Sequence, residues 1–417
     1  MPEAQPIDVD VAIVGASHVG MATALGLAGA LGPELRLALI ERRRLGAQGA
    51  ETVDPRAFAL SAGSVALLTA IGVWRDIEKA SEPVTAIEIT DSSLDDVFRP
   101  KLLAYDNRTT AGAPATWIVE AERLLQVLRT KIRNVPGITI LAPAAIQALE
   151  ASSTGAFASL QLADGRRVRA RLVVAADGAN SAIRDAAGIK TVGWSYPQSG
   201  IVTTVEHELP HKSCAVQHFL PSGPFAILPL PGNRSNITWT ETSGEANRIL
   251  ALDDPGFLAE VERRFGHRLG GLRLDGPRRS WPLALRMARN LVTGRVALVG
   301  DAARGVHPLA GQGLNLGMRD VACLTEVVAV SMRLGLDPAD ATGLERYQRW
   351  RRFDGQASAA AFDALNRLFS NDSRLLRVVR DAGLGLVDRL PGLKQLLVAE
   401  AAGLTGEVPR LLEGAFP

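Results

Sequence analysis

Two cysteines, Cys214 and Cys323, are all that this chain of 417 residues contains, and neither has another Cys or a His at metal-ligand spacing. That scarcity argues against a disulfide framework or a structural zinc site and suits a reducing cytosol. Net charge is also nearly absent: 46 Lys and Arg stand against 44 Asp and Glu, a formal balance of +2. A nucleic-acid partner would need a concentrated basic face, and here arginines and carboxylates are interspersed, so none is expected. No apolar run reaches the ~18 residues of a membrane span. The apolar N-terminal stretch is broken by Gly15, Ser17, His18 and Gly20, so it reads as neither a signal peptide nor a span. The expectation is a cytoplasmic protein, at most peripherally associated with a membrane surface. Internal repeats and low-complexity segments are missing too.

What is present points to a nucleotide. A composition of 47% hydrophobic and 22% charged residues is that of a globular protein, and the length calls for two or three domains or subdomains. Asp8 to Val14 is a short β-branched run ending in glycine, which reads as a buried parallel strand. Gly15-Ala16-Ser17-His18-Val19-Gly20 follows, then a helix of small residues, then a second strand, Arg36 to Ile40, closed by Glu41. In such a unit the glycine loop lets backbone N–H groups at a helix N-terminus meet a pyrophosphate. Glu41, roughly 20 positions downstream, stands where a carboxylate accepts hydrogen bonds from the adenosine ribose. Gly15, Ser17, Gly20 and Glu41 are therefore the first candidate cofactor-binding residues. Ser17 departs from the pattern, because glycine there gives the closest backbone approach; weakened or displaced binding is expected, not its loss. The plain alternative is an α/β turn that holds no nucleotide.

Two later segments choose among cofactors. Arg171 to Ala176 is another apolar strand, followed by Asp177-Gly178 with Ser181 and Arg184 beyond it. Gly294 to Val299 is a third, followed by Gly300-Asp301-Ala302-Ala303, then His307-Pro308-Leu309-Ala310-Gly311-Gln312-Gly313-Leu314-Asn315-Leu316-Gly317 and Asp320. With the three segments in this order, the chain resembles the FAD-dependent aromatic-ring monooxygenases related to p-hydroxybenzoate hydroxylase. The resemblance sharpens toward the ubiquinone-biosynthesis hydroxylases at Asp54 to Ser64 and at His307 to Gly313.

That resemblance implies FAD as cofactor, with NADH or NADPH as co-substrate. Asp301 would hold the ribityl hydroxyls, with Gly300 beside it. Gly311 to Gly317 would open a helix whose N-terminal N–H groups face the pyrimidine edge of the isoalloxazine and stabilise the reduced, anionic flavin. Pro308 and Gly311 are implied near the ring system, and Gln312, Gly313, Leu314 and Asn315 complete that edge. Arg56 is implied on the flavin side, Arg123 near the pyrophosphate with Gln126 one turn later, and Asp177 near the nucleotide phosphates. Each has a structural alternative: a surface arginine, a solvated helix charge, or a carboxylate capping a turn. Arg184 reads equally as an ordinary helical arginine. His18 and His307 read as residues that order their loops, not as acid–base catalysts. No catalytic side chain is implied, because the flavin carries the chemistry. The resemblance implies that hydride would pass from NAD(P)H to FAD, oxygen would add to give a C4a-hydroperoxide, and an electrophilic oxygen would reach a phenol ring held close and dry.

The expected fold class is α/β. A discontinuous, Rossmann-like FAD-binding domain would comprise residues 1–80, 106–190 and 281–345; a smaller antiparallel-sheet substrate domain, 81–105 and 191–280; and a C-terminal helical region, 346–417. Period-two alternation at Val84–Thr90, Gly200–Glu208, Cys214–Leu220, Phe225–Pro229 and Ser235–Glu241 predicts a sheet that roofs the flavin. Phe219, Phe225, Leu228, Pro229 and Trp239 are candidate pocket residues on it, with plain sheet core as the alternative for each. Basic amphipathic stretches at Phe362–Phe369, Arg374–Arg380 and Leu393–Val398 suit an anionic membrane surface, where a polyprenyl substrate is found, or packing on the FAD domain or across a dimer contact. The expected substrate is a polyprenyl phenol of ubiquinone biosynthesis. A small soluble phenol is the alternative, as is a flavin-binding accessory protein without turnover. A flavin-dependent reductase or halogenase ranks last, since the paired tryptophans of halogenases are missing. A peripheral membrane surface, a ubiquinone-biosynthesis complex and a homodimer stay open as partners.

Overall fold

The computed structural model describes residues 5–46, 54–91, 101–151, 155–305, 312–352, 402–403 and 406–417. His307, Pro308 and Gly311 lie outside the described residues, as do the amphipathic stretches 362–369, 374–380 and 393–398. The strand Ile7–Val14 is buried over its last six residues without alternation, as expected of a parallel strand covered on both faces. It pairs in parallel with Leu37–Ile40 on one side and with Arg167–Ala175 on the other. Ile138–Leu141 and Val296–Leu298 extend the parallel run outward at either end. An antiparallel hairpin, Ile146–Ala151 with Ala158–Leu162, and the short Val292–Thr293 complete eight strands. The small-residue helix His18–Leu31 packs against the long helix Gln312–Arg333, close enough that a Cβ on Gly26 would meet Thr325 Oγ1 at 2.9 Å.

A second sheet of nine strands is built along Thr191–His207, which pairs antiparallel with Arg234–Thr242 and Arg279–Ala288. Gly223–Leu230 and Cys214–Leu220 follow outward, then Ala86–Asp91 and Lys101–Asp106. The expectation of purely antiparallel strands fails at one place: Cys214–Leu220 runs parallel to Ala86–Asp91. Parallel neighbours need a long crossover, and the whole stretch between these two strands provides one. A third, three-stranded sheet (Ala57–Ser61, Thr116–Glu120, Ser81–Val84) lies under the second.

The two faces of the second sheet differ. On one, Ile201, Phe225, Ile237 and Trp239 close a core with Phe257, Val261 and Phe265 from the helix Asp254–Phe265. On the other, Ala215 and Leu230 pack on Ala57, Val84 and Ile118 of the small sheet. Phe225 and Trp239 therefore do not line a pocket, a correction to the sequence reading. Pro229 shares their strand parity, whereas Phe219 and Leu228 stand on the opposite face.

Candidate active site

The carboxyl ends of Ile7–Val14, Arg167–Ala175 and Val296–Leu298 lie side by side, and a glycine loop leaves each. Gly15 has φ +104°, and a Cβ on it would stand 2.4 Å from the Ala176 carbonyl oxygen. A Cβ on Gly20 would stand 1.8 Å from the Gly15 carbonyl oxygen. Both positions are thus closed to any side chain. Val19 fills the space between the first and third loops, 2.7 Å from where a Cβ of Gly317 would be. Arg184, 3% exposed, donates to the Ala179 carbonyl at 2.9 Å and to the Ala302 carbonyl at 3.4 Å, tying the second loop to the third. Three motifs far apart in sequence form one surface.

Carboxylates order that surface. Glu41 accepts from the Ala16 N–H through Oε2 at 2.9 Å and from the Arg43 N–H through Oε1 at 3.0 Å, so the second strand's end is bonded to the glycine loop. Asp177 accepts from the Ile183 N–H through Oδ2 at 3.3 Å, and its Oδ1 is buried without a hydrogen-bond partner among the described residues. Asp320 is fully buried: Oδ2 accepts from the Gly300 N–H at 2.9 Å, and Oδ1 accepts from Arg351 Nε at 2.7 Å and faces Arg304 Nη2 at 3.0 Å. Arg304 and Arg351 escaped the sequence reading. A buried arginine looks like a surface one until its carboxylate partner is located.

Ser17 opens the first helix without capping it; its hydroxyl lies 3.3 Å from His18 Nδ1. His18 Nε2 stands 2.8 Å from the Ala121 carbonyl, which can only accept, so Nε2 carries the proton and Ser17 donates to Nδ1. Burial lowers the His18 pKa from 6.5 to about 4, the bond to Ala121 offsetting only part of that, so the ring is neutral at physiological pH. Through it the glycine loop is bonded to the helix Ala121–Ile132, on which Arg123 is exposed and Gln126 donates to Glu122 Oε1 at 3.4 Å. Asn315, in the first turns of Gln312–Arg333 with Gly313 and Leu314, accepts from the Ser61 N–H (3.0 Å) and the Ser64 hydroxyl (2.8 Å) and donates to the Ala59 carbonyl (2.7 Å). Its amide is engaged with the small sheet.

Arg56 and Asp301 mark the walls of a cleft. The Arg56 guanidinium sits 2.6 Å from Asp54 Oδ2 and stacks over the rings of Phe58 (5.6 Å) and Trp281 (5.4 Å). Its side chain is 46% exposed, and Asp301 is exposed too, yet both feel strong desolvation from surrounding protein. Water-accessible area beside dense protein is the signature of a recess, not of a convex surface. Desolvation raises the Asp301 pKa above the ordinary carboxylate value, with Arg56 opposing and Asp320 adding to the rise. Asp54 goes the other way: burial works against its charge, but the hydrogen bonds and charge of Arg56 outweigh it and lower its pKa. Above the cleft, Gln217, Ala226, Leu228 and Thr238 are only half-buried on the second sheet, and Phe58 is half-buried below. Trp281 also borders a groove of about 450 Å³ lined by Leu250, Arg278, Arg279 and Ser280, none of which belongs to the three loops.

These residues fit FAD. A backbone cradle closed to side chains, an unpartnered buried oxygen on Asp177, and Asp301 facing a cleft beside Arg56 suit a dinucleotide with a ribityl chain. The comparisons agree. Residues 8–360 match the family model described as FAD binding domain, and the chain belongs to this family, that of the FAD-dependent aromatic-ring monooxygenases. It is 44% identical over 408 residues to the ubiquinone hydroxylase UbiL of Rhodospirillum rubrum, covering 97% of this chain and 92% of that protein. It is 33% identical to the 3-demethoxyubiquinol 3-hydroxylase of Escherichia coli, covering 95% and 98%. The p-nitrophenol 4-monooxygenase PnpA of Pseudomonas putida has a similar fold, with a TM-score of 0.77 at 19% identity over 96% of this chain and 99% of that one.

Proposed function

We propose that this chain hydroxylates the ring of a polyprenyl phenol, a precursor of ubiquinone, using FAD, NADH or NADPH, and dioxygen. The observation that carries the reading is the cleft. Three glycine loops meet below it, and a half-buried, largely apolar face of the second sheet covers it. The names of the relatives, a ubiquinone hydroxylase and a 3-demethoxyubiquinol 3-hydroxylase, support this substrate class. Bound FAD would supply the redox chemistry, accepting electrons from NAD(P)H and activating oxygen.

The chain's residues do the rest. The Gly15–Gly20 loop and the helix it opens meet the pyrophosphate, and Glu41 takes the adenosine ribose. Asp177 borders the phosphates, and Asp301 with Gly300 holds the ribityl chain. Arg56 balances negative charge on the reduced cofactor. Pro308, Gly311 and the segment Gln312, Gly313, Leu314 and Asn315 would serve the pyrimidine edge, while Arg123 and Ser17 would serve the pyrophosphate. Phe58, Ala226 and Leu228 hold an aromatic ring and exclude water from it.

In this reading the FAD-binding part is Rossmann-like and discontinuous (1–80, 106–190, 281–345), and 81–105 with 191–280 receive the substrate. The basic stretches 362–369, 374–380 and 393–398 serve to dock on the membrane surface that holds a polyprenyl chain; among the described residues no helix is long and apolar enough to cross a membrane. A homodimer or a ubiquinone-biosynthesis complex is compatible with that docking. The test is turnover with FAD, NADH and a phenol carrying one prenyl unit under isotopically labelled dioxygen. One labelled oxygen on the ring is expected. NADH consumption that yields only hydrogen peroxide with prenylated and unprenylated phenols alike would contradict the proposal.

A further inference from the structure

The strand Cys214–Leu220 separates its residues cleanly. Val216 and Leu220 enter the closed core, whereas Ala215 packs on the small sheet. Gln217 has the parity of Ala215, so its side chain stands on the cleft face. On that face its cross-strand neighbours are Ala226 and Ile89, and Ala215 and Phe219 flank it along the strand. None of these four has a polar side-chain atom. Nevertheless, Gln217 Nε2 is buried and finds no hydrogen-bond partner among the described residues, in a residue that is as a whole half-buried. On the other side of Gln217, Thr238 pairs with Ala226 and so lies two strands away, about 10 Å by strand spacing. It is too far to satisfy the amide and well placed to touch the other edge of a ring lying between them.

A buried N–H without an acceptor destabilises a fold. A fold keeps such a group where a ligand supplies the acceptor. We propose that the Gln217 amide is the polar anchor of the substrate pocket: it donates through Nε2 to an oxygen substituent on the aromatic ring. In so doing it sets which ring carbon is turned toward the cofactor. This assignment rests on the hydroxylase reading above. In apolar surroundings such a bond discriminates strongly, because a ligand lacking the oxygen leaves the amide unpaired.

The experiment measures binding of two probes of nearly equal size, 2-prenylphenol and 2-prenyltoluene, through their perturbation of the visible absorption of FAD in the holoprotein. The native protein is expected to bind the phenol at least about tenfold more tightly. Gln217→Met, close in shape, should keep its FAD and bring the two probes within about twofold, by weakening the phenol. Discrimination that survives in Gln217→Met overturns the assignment and leaves the hydroxylase reading standing. If neither probe perturbs the native flavin, the hydroxylase reading falls, and the assignment with it. Should Gln217→Met lose FAD, Gln217→Glu decides with 2-prenylanisole, whose oxygen can only accept. A carboxylate cannot donate, so the anisole should weaken roughly tenfold while the phenol stays within about threefold. Equal weakening of both overturns the proposal.

Discussion

At the glycine loops the backbone strands come so close that a Cβ at Gly20 would stand 1.8 Å from a carbonyl oxygen, and side chains contribute mainly by their absence. Across the cleft, on the second sheet, the backbone is regular and alternate residues serve opposite purposes. Trp239 and Phe225 are sealed against the Asp254–Phe265 helix, while Gln217, Ala226, Leu228 and Thr238 stay half-open on the other side. In the proposed reading, cofactor recognition is written into chain geometry, and substrate recognition into a few side chains on one face of one sheet. The first tolerates little variation, and the second can be retuned without unfolding the protein.

That contrast can be broken most forcefully on the sealed face. Trp239→Ala removes a ring that is 1% exposed, stacks under the Arg264 guanidinium at 4.4 Å and donates to Glu241 at 3.1 Å. It should cost about 3–5 kcal/mol in denaturant unfolding, with FAD affinity of the folded fraction little changed. Leu228→Ala, on the half-open face, should cost only about 1–2 kcal/mol and weaken phenol binding instead. Equal costs on the two faces would erase the distinction.

At the loops, Gly20→Ala should destabilise by about 3 kcal/mol and yield protein without FAD, because backbone, not a flexible side chain, must move. A stable yellow Gly20→Ala protein would show that the loop is looser than described.

His18 tests how the loop is held. Its pKa is depressed in the fold, so its contribution is complete above pH 6.5 and is lost as pH falls toward about 4. His18→Leu should remove that part of the acid sensitivity, at most roughly 3 kcal/mol between those limits. Identical pH profiles for the two proteins would mean that the ring is solvated.

The smallest effect is the most diagnostic. The Asp301 pKa is raised, so its ionisation opposes folding of the FAD-free protein, absent in acid and growing as pH rises through the raised value. Asp301→Asn should therefore leave the FAD-free protein as stable or slightly more stable at neutral pH, while FAD binds about tenfold more weakly. Melting of the FAD-free forms and fluorescence titration with FAD check the two halves separately.

The loops were legible in the sequence because a glycine at a strand end and an acid at the next are local demands of backbone geometry. Cys214–Leu220 was likewise readable, as an alternating run. Alternation announces two faces but does not say which looks at the cleft. Phe225 and Trp239 were misplaced for that reason, since the helices Ser243–Leu250 and Asp254–Phe265 that seal them were not anticipated. The parallel pairing of Ala86–Asp91 with Cys214–Leu220 and the hydrogen bond from His18 to Ala121 join residues over a hundred positions apart, and no local pattern announces them. Gln217 was invisible for a related reason: an amide on a strand looks solvated until its neighbours are known to be Ala226 and Ile89.

The most direct test of the account is the visible spectrum of the purified protein, followed anaerobically on addition of NADH or NADPH with and without 2-prenylphenol. A yellow protein whose flavin bands bleach faster when the phenol is present is the predicted result. A colourless protein that FAD does not reconstitute would contradict it.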